Sequence, residues 1–114
     1  MRTTLITGGA DGIGWATAQM FAARGDRVVI ADIKGDRALE RAASLGADHL
    51  GVPCDVSDEH SVLGFFTALD ARGLTAGALI NNAGAGDTAK PSLEQDAAHM
   101  RRMLDITLTG TFLM

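Results

Sequence analysis

The feature that most restricts the fold of this chain is a cluster of glycines near its start. Four glycines lie within seven residues in the segment Thr7-Gly8-Gly9-Ala10-Asp11-Gly12-Ile13-Gly14. A short β-branched run, residues 3 to 7, precedes the cluster and predicts a strand. A helix is predicted next, over residues 12 to 24, from the spacing of Ile13, Ala16, Thr17, Met20 and Phe21. Because an ordinary turn needs one or two glycines, the cluster indicates a loop whose backbone must approach a ligand closely.

Strand and helix patterns alternate along the rest of the chain. Further strands are predicted over residues 27–31, 49–54 and 76–81. Helices are predicted over residues 36–45, from an N-cap at Ser57 to about Gly73, and from a capping box at Ser92 through Met114. This alternation is typical of an α/β, doubly wound parallel sheet of Rossmann-like type, with strand order 3-2-1-4. We expect residues 1–114 to form one domain of this kind.

The glycine loop and the helix after it form a predicted phosphate site. Glycine permits the tight turn and lets a pyrophosphate approach the backbone without a Cβ in the way. The helix directs free N–H groups and the positive end of its dipole at the same point. We therefore expect this end of the chain to hold the diphosphate of a dinucleotide.

Four segments in order resemble motifs of the short-chain dehydrogenase/reductase family. They are Thr7-Gly8-x3-Gly12-x-Gly14, Asp55-Val56, Asn81-Asn82-Ala83-Gly84 and Leu108-Thr109-Gly110-Thr111-Phe112. The resemblance covers nearly the whole chain. It implies that Asp55 faces the adenine amino group, and that residues 81–84 support the central sheet and line the cofactor ribose. The expected cofactor-binding residues are Thr7, Gly8, Gly12, Ile13, Gly14, Asp32, Ile33, Asp55, Val56, Asn82, Ala83 and Gly84.

The choice between NAD and NADP is predicted from Asp32, at the end of the second strand and 18 residues beyond Gly14. A carboxylate there accepts hydrogen bonds from both ribose hydroxyls and repels a 2′-phosphate. Family members that prefer NADP usually carry a basic residue just before the second glycine or just after this strand. Here Asp11 precedes Gly12, and Lys34 is the only cation expected nearby. NAD is therefore predicted over NADP, and residues 1–114 are expected to be one NAD-binding, Rossmann-like domain that is truncated relative to the complete family fold.

The catalytic residues that the resemblance implies do not occur in this chain. The family uses a tyrosine with a lysine four positions later, an upstream serine, and an asparagine in the long helix, while NAD exchanges the hydride. This chain has no tyrosine, and Thr107 stands at the position of the asparagine. We therefore expect no catalytic residue and no alcohol oxidation by the chain alone.

Two functions remain open from the sequence. The first is the NAD-binding portion of a short-chain oxidoreductase that interconverts alcohols and ketones by hydride transfer. The alternative is a non-enzymatic NAD-binding module that regulates association with another protein. The altered position at Thr107 fits the alternative, whereas the glycine loop and Asp32 fit both.

Composition excludes several other classes. The net charge is −4 and no basic block occurs, which argues against nucleic acid and anionic membranes as partners. Apolar runs are too short for a membrane span, and no secretory pattern is present, so a cytoplasmic location is expected. Cys54 is the only cysteine and is expected to be buried and structural. It shares no metal-ligand spacing with the three histidines, so no metal site is expected.

The remaining expectations concern surfaces. Trp15 is expected to pack on the first helix, and Arg101-Arg102 to lie on a solvated helix face. The polar loop of residues 87–92 is expected to border the active cleft, in which the dinucleotide is expected to lie. Apolar residues continue to Met114 without a helix stop, which exposes apolar surface unless something covers it. We expect the chain to be a fragment or to associate, as a homo-oligomer or with a partner, through the helix of residues 92–114 and the edge of the fourth strand.

Overall fold

Parallel strands alternate with helices in the computed structural model, which describes residues 1–85 and 90–114. The strands are β1 (Thr3–Thr7), β2 (Arg27–Asp32), β3 (Leu50–Pro53) and β4 (Ala76–Ile80). The helices between them are α1 (Gly12–Ala23), α2 (Gly35–Leu45) and α3 (Glu59–Asp70). A 3₁₀ turn at Ser92–Glu94 is followed by α4 (Ala97–Leu104), a π-helical segment (Asp105–Thr109) and α5 (Gly110–Leu113). Of the polar loop predicted at residues 87–92, the part up to residue 89 lies outside the described residues.

The sheet has the order β3-β2-β1-β4, and every pairing is parallel. This confirms the predicted doubly wound α/β architecture and its strand order 3-2-1-4. In register, Leu5 of β1 lies between Val29 of β2 and Leu79 of β4. Because side chains alternate along a strand, Leu5 and Ile6 enter the cores on opposite faces of the sheet.

Each face of the sheet has its own core. On one face Leu5 and Val29 pack with Phe65 and Leu69 of α3, and Ile106 of the π-helical segment packs beside them. On the other face Ile6 and Ile30 pack with three alanines, Ala18 of α1 and Ala38 and Ala42 of α2. The two central strands are therefore covered on both sides, and the continuous apolar run of β2 is typical of a strand in such a position. No helix within residues 1–85 and 90–114 combines the length and apolar character needed to cross a bilayer.

The inward face of α1 differs from the set of apolar positions that predicted the helix. The helix buries Gly14 and Ala18, whereas Ile13 is 79% and Met20 63% exposed. Apolar residues occur all around this helix, so their spacing does not select a face. Small residues face the sheet because α1 approaches the end of β1 closely at Gly14.

Two predicted helix starts are wrong, and in both an aspartate caps the helix instead of the predicted serine. The carboxylate of Asp58, not Ser57, accepts the N–H of His60 at 3.0 Å and caps α3. After the 3₁₀ turn that begins at Ser92, the Gln95 backbone is extended and its side chain donates to Lys90 O at 2.9 Å. The long helix therefore starts at Ala97, where Asp96 accepts the N–H of His99 at 2.7 Å.

Candidate functional site

A cavity of about 610 Å³ opens at the carboxyl ends of the strands. Ligand pockets in proteins commonly hold about 300–1,000 Å³. The loops after all four strands reach this cavity, and so does the helix of residues 97–113. Its lining residues are Gly8, Asp11, Gly12, Asp32, Ile33, Lys34, Asp55, Val56, Asn82, Ala83, Gly84, Ala85, His99, Arg102 and Ile106. The cavity includes the gap between β1 and β4, where the strand order reverses and doubly wound sheets bind their ligands.

The glycine loop combines left-handed backbone with close packing. Gly8 has a φ of +64° and Gly12 a φ of +55°, both in the region that side chains disfavour. A Cβ on Gly14 would overlap the carbonyl oxygen of Gly8, so α1 can approach β1 only with glycine there. A Cβ built on Gly12 meets no heavy atom of the described residues within 4 Å. The loop is therefore closed on its inner side and open toward the cavity.

Thr7 lies behind the glycine loop and ties it to the segment after β4. Its hydroxyl oxygen accepts the backbone N–H groups of Asn82 and Ala83, each at 3.0 Å. The side-chain amide of Asn82 donates in return to the carbonyl oxygens of Thr7 at 3.2 Å and Gly8 at 3.1 Å. Thr7 is only 1% exposed, so its role is to hold the cavity floor rather than to touch a ligand with its side chain.

Asp32 is fixed at the cavity wall by two backbone donors. Its Oδ2 accepts the N–H of Ala10 in the glycine loop at 3.1 Å, and its Oδ1 accepts the N–H of Lys34 at 3.0 Å. An ionised carboxylate has about four lone-pair positions, so both oxygens retain capacity for further donors. The group is thus oriented before any ligand arrives.

Asp55 and Val56 follow β3 and line the same cavity from the other side. Oδ1 of Asp55 accepts the hydroxyl of Ser57 at 2.6 Å and its N–H at 3.0 Å. Val56 is 6% exposed, and a Cβ on Gly110 would press on its Cγ2. Gly110 therefore lets the long helix pack against Val56, which places that helix along the cavity.

Nine of the twelve residues predicted from the sequence line the cavity. Thr7 and Gly14 are instead buried behind it, and the side chain of Ile13 is exposed. The prediction missed Asp11, Lys34, Ala85, His99, Arg102 and Ile106 as lining residues. Arg102 was expected on a solvated face. It is exposed and also borders the cavity, because the long helix passes over the carboxyl end of the sheet.

Asp11 is surrounded by three cations rather than one. Its Oδ1 lies 2.6 Å from Arg37 Nε and 3.8 Å from Arg41 Nη2, and its Oδ2 lies 3.6 Å from Lys34 Nζ. The expectation that Lys34 is the only nearby cation is therefore wrong. The hydrogen bond from Arg37, with the charges of Arg37 and Lys34, holds the pKa of Asp11 below its usual range.

Cys54 and His49 do not line the cavity. Cys54 is buried, and that burial raises the pKa of its thiol to about 11. The ring of His49 accepts the N–H of Val28 through Nδ1 at 3.0 Å, which extends the pairing at the start of β2. Within the described part of the chain, no group of three or more His, Cys, Asp or Glu residues is placed to hold a metal ion.

Comparisons with known proteins point in one direction. A family model described as short chain dehydrogenase matches residues 2–114. D-threitol dehydrogenase from Mycolicibacterium smegmatis is 38% identical, over 99% of this chain and 44% of that protein. Tropinone reductase-like 1 from Erythroxylum coca is 36% identical, over 98% of this chain and 42% of that protein. The chain thus spans less than half the length of these relatives.

The backbone of this chain is also similar to that of a solved protein structure. The 3-ketoacyl-(acyl-carrier-protein) reductase from Brucella melitensis, complexed with NADH, matches with a TM-score of 0.91 and 32% identity. The match covers 99% of this chain and 46% of that one. The similarity in sequence and in backbone therefore runs through all the elements described above.

Proposed function

This chain belongs to the short-chain dehydrogenase family, and on that premise we propose that it is the NAD-binding portion of an oxidoreductase that interconverts alcohols and ketones. Membership carries with it a dinucleotide-binding Rossmann fold. One observation carries the more specific proposal: the glycine loop and the carboxylate of Asp32 border one cavity at the strand-order reversal. The loop suits a diphosphate, and the carboxylate suits the ribose beside it.

The start of α1 fits a diphosphate. Its first intrahelical hydrogen bond runs from Trp15 N–H to Asp11 O at 3.1 Å, which leaves the earlier N–H groups without a partner in the helix. Asp11 occupies the N-cap position but its side chain makes no capping hydrogen bond. These N–H groups are therefore available to donate hydrogen bonds to an anion. Ile13 takes part through its backbone N–H, even though its side chain is exposed. The open space at Gly12 gives phosphate oxygens room to approach.

Asp32 supports NAD over NADP. Two backbone N–H groups already orient the carboxylate toward the cavity, so the ribose hydroxyls meet a fixed acceptor. A 2′-phosphate in the same place would bring like charges together. Asp55 and Ile106 lie farther along the cavity, where the adenine would lie beside a carboxylate and an apolar side chain.

The chain's own part in the reaction is to bind and orient the cofactor. NAD, when bound, supplies the hydride acceptor. This chain has no tyrosine to move a proton at a substrate oxygen, and Thr107 is exposed in the π-helical segment where the family has asparagine. We therefore expect NAD binding without turnover by the chain alone.

A second candidate, a non-enzymatic NAD-binding module, is favoured by Thr107. Threonine has a hydroxyl but lacks the amide of asparagine and its reach. Here the carbonyl of Thr107 also accepts the Thr111 hydroxyl at 2.7 Å, so this carbonyl is already hydrogen-bonded within the helix. A serine followed by Tyr-x3-Lys farther along the same reading frame would support the enzyme, and their absence would support the module.

Association through the long helix is also proposed. Four of its apolar side chains are largely exposed: Met100 (60%), Leu104 (46%), Leu108 (67%) and Phe112 (85%). β4 is an edge strand of the four-stranded sheet. Exposed apolar side chains at a spacing of four residues along one helix favour contact with a second copy or a partner. Light scattering on the purified chain tests for self-association, and a monomer at all concentrations would contradict it.

Titration with NAD tests the main proposal. Trp15 follows the glycine loop directly and its ring lies under the Arg41 guanidinium at 4.5 Å, so its fluorescence reports on changes at the loop. We expect a saturable change with NAD, together with a higher midpoint of thermal unfolding. Asp32→Ala should weaken NAD binding by about tenfold or more, the value of a hydrogen bond to a charged group.

The matched control is Asp36→Ala, which removes an exposed carboxylate from α2 that does not line the cavity. It should leave NAD binding unchanged. Absence of a saturable response and of any thermal shift in the unmodified chain would rule out both candidate functions. An unchanged ratio of NAD to NADP affinity in Asp32→Ala would remove Asp32 as the selecting residue.

A further inference from the structure

We propose that Arg41 of α2 is a positioning residue, which keeps the glycine loop in the shape that a diphosphate needs by holding the carbonyl of Ala10. The inference rests on the proposed dinucleotide site, but it concerns a side chain that lies outside the cavity lining. Arg41 therefore acts through the backbone of the loop and not by touching the ligand.

Ala10 is the residue through which Arg41 reaches the loop. It lies midway between Gly8 and Gly12, whose backbones are left-handed, and it is fully buried. Its N–H donates to Asp32 Oδ2 at 3.1 Å, and its carbonyl accepts Nε of Arg41 at 3.0 Å. Two charged side chains from different elements thus hold both polar groups of this one residue.

The Arg41 side chain is itself held in place. Its guanidinium lies 4.5 Å from the centre of the Trp15 ring, in the first turn of α1, and its Nη2 lies 3.8 Å from Asp11 Oδ1. Its side chain is 31% exposed, so it is partly shielded from water, which strengthens the hydrogen bond to Ala10. One arginine thereby contacts the loop and the start of the helix that follows it.

A loop of this composition gains from such a contact. Four of the seven residues from Gly8 to Gly14 are glycine, which allows the backbone many conformations. A ligand that must first order a loop binds more weakly than one that meets the loop already ordered. Because the Ala10 carbonyl cannot turn away without breaking a charge-assisted hydrogen bond, Arg41 keeps the loop ordered before a ligand arrives.

The ribose end of the site does not depend on Arg41. Asp32 accepts a second backbone donor, the N–H of Lys34, at 3.0 Å. Loss of Arg41 should therefore weaken the binding of a diphosphate more than the binding of adenosine. This difference separates the positioning of the loop from a general loss of structure.

The test compares Arg41→Met with Arg41→Gln. Both side chains are neutral and of equal length, and only glutamine carries an N–H donor at the position of Arg41 Nε. Arg37→Met is the matched control, since it removes an arginine from the same helix. Arg37 also contacts Asp11, at 2.6 Å, but it lies outside the cavity lining.

Calorimetric titrations would use ADP and adenosine, because the Arg41 variants alter the surroundings of Trp15 and with them its fluorescence. We expect Arg41→Met to lower the affinity for ADP by about tenfold, the factor for one hydrogen bond to a charged group. Arg41→Gln should recover most of this loss. Arg37→Met should lower the affinity by about threefold or less, as for an exposed ion pair. The affinity for adenosine should be nearly equal in all four chains.

Hydrogen exchange of the ligand-free chains reports on the loop directly. The amides of residues 8–12 should exchange faster in Arg41→Met than in Arg37→Met, whereas those of β2 should exchange equally in both. If Arg41→Met does not fold, Arg41→Ala takes its place, because alanine also lacks the donor and has the highest helix propensity.

The outcomes separate this inference from the proposed function. If the unmodified chain binds NAD and ADP, and Arg41→Met binds ADP as well as Arg37→Met does, the inference is overturned and the proposed function stands. Equal losses of ADP and adenosine affinity in Arg41→Met would also overturn it. If the unmodified chain binds neither NAD nor ADP, the proposed function fails. Hydrogen exchange then decides the inference: faster exchange of the loop in Arg41→Met supports it, and unchanged exchange overturns it.

Discussion

Asn82 holds Thr7 by two hydrogen bonds, its backbone N–H donating to the Thr7 hydroxyl at 3.0 Å and its side-chain amide to the Thr7 carbonyl at 3.2 Å. The two residues are far apart in sequence and end neighbouring parallel strands. Their contact joins the glycine loop to the segment after β4. These two segments flank the gap between β1 and β4, where the strand order reverses. The side chains of Thr7 and Asn82 therefore form the floor of the cavity, and their polar groups are hydrogen-bonded within the protein itself.

Thr7→Val tests that connection. Valine keeps the shape of threonine but leaves the N–H groups of Asn82 and Ala83 without their acceptor. An unsatisfied group costs about 1–3 kcal/mol when it is fully buried. Because Asn82 and Ala83 are partly buried, we expect the free energy of unfolding to fall by about 1–2 kcal/mol in urea denaturation. Thr7→Ser keeps the hydroxyl and should recover most of the loss.

The control for Thr7→Val is Thr17→Val. Thr17 donates only to the carbonyl of Ile13 within its own helix, at 2.8 Å, and its loss should change stability by less than about 0.5 kcal/mol. Equal stabilities for Thr7→Val and the unmodified chain would mean that Asn82 and Ala83 find other partners.

Gly14→Ala and Gly64→Ala form a second pair, because both glycines lie in helices. At Gly14 a Cβ would overlap the Gly8 carbonyl oxygen and come within 2.5 Å of Asn82 Nδ2. The chain must shift to relieve this overlap, and we expect a loss of about 1–3 kcal/mol together with weaker NAD binding. A Cβ built on Gly64 meets no heavy atom within 4 Å among the described residues outside its own helix backbone, so alanine should stabilise α3 by up to about 1 kcal/mol. Thermal unfolding of both variants is the measurement, and a stabilised Gly14→Ala would contradict the close approach.

Asp26 links folding to pH at the opposite end of the sheet. Its Oδ2 accepts the buried hydroxyl of Thr4 at 2.5 Å and Nε of Arg2 at 2.9 Å. The hydrogen bond from Thr4, followed by the contact with Arg2, lowers the pKa of Asp26. A carboxyl whose pKa is lower in the folded chain stabilises it above the unfolded pKa of about 4, and this stabilisation is lost as the pH falls through the folded value.

Asp26→Asn should accordingly lower the unfolding midpoint at pH 7, and the difference from the unmodified chain should shrink as the pH falls below about 4. Asp36→Asn, at an exposed position, should show a much smaller difference at either pH. The measurement is the midpoint of thermal unfolding of each chain from neutral to acid pH. A difference that stays constant from neutral to acid pH would show that the charge of Asp26 is not the stabilising feature.

The sheet was predictable because its signals are local and strong. The continuous apolar run of β2 requires cover on both faces, and the helices between strands require right-handed parallel crossovers. Together these predict a doubly wound parallel sheet, for which the observed order β3-β2-β1-β4 is a common arrangement. The glycine spacing likewise located the loop, since few other structures need Gly8, Gly12 and Gly14 together.

Features that depend on packing were not predictable from spacing. Apolar residues surround α1, so only the close contact of Gly14 with β1 decides that Ile13 faces outward. Where a serine and an aspartate both precede a helix, either is a plausible cap, and the neighbouring hydrogen bonds decide between them. Arg37 and Arg41 lie on α2, and their approach to Asp11 depends on how that helix packs beside the glycine loop.

Cys54 gives the last prediction, which concerns the reactivity of the folded chain. The thiol is 4% exposed, and its burial, with smaller contributions from Asp55 and Asp58, raises its pKa to about 11. Because the thiolate is the reactive form, iodoacetamide at pH 8 should alkylate the native chain far more slowly than the urea-unfolded chain. Mass spectrometry over time measures both rates, and Cys54→Ala, which should take up no label, controls for other sites. A native rate close to the unfolded rate would mean that the end of β3 opens readily, and that the adjacent Asp55 wall of the cavity is not preformed.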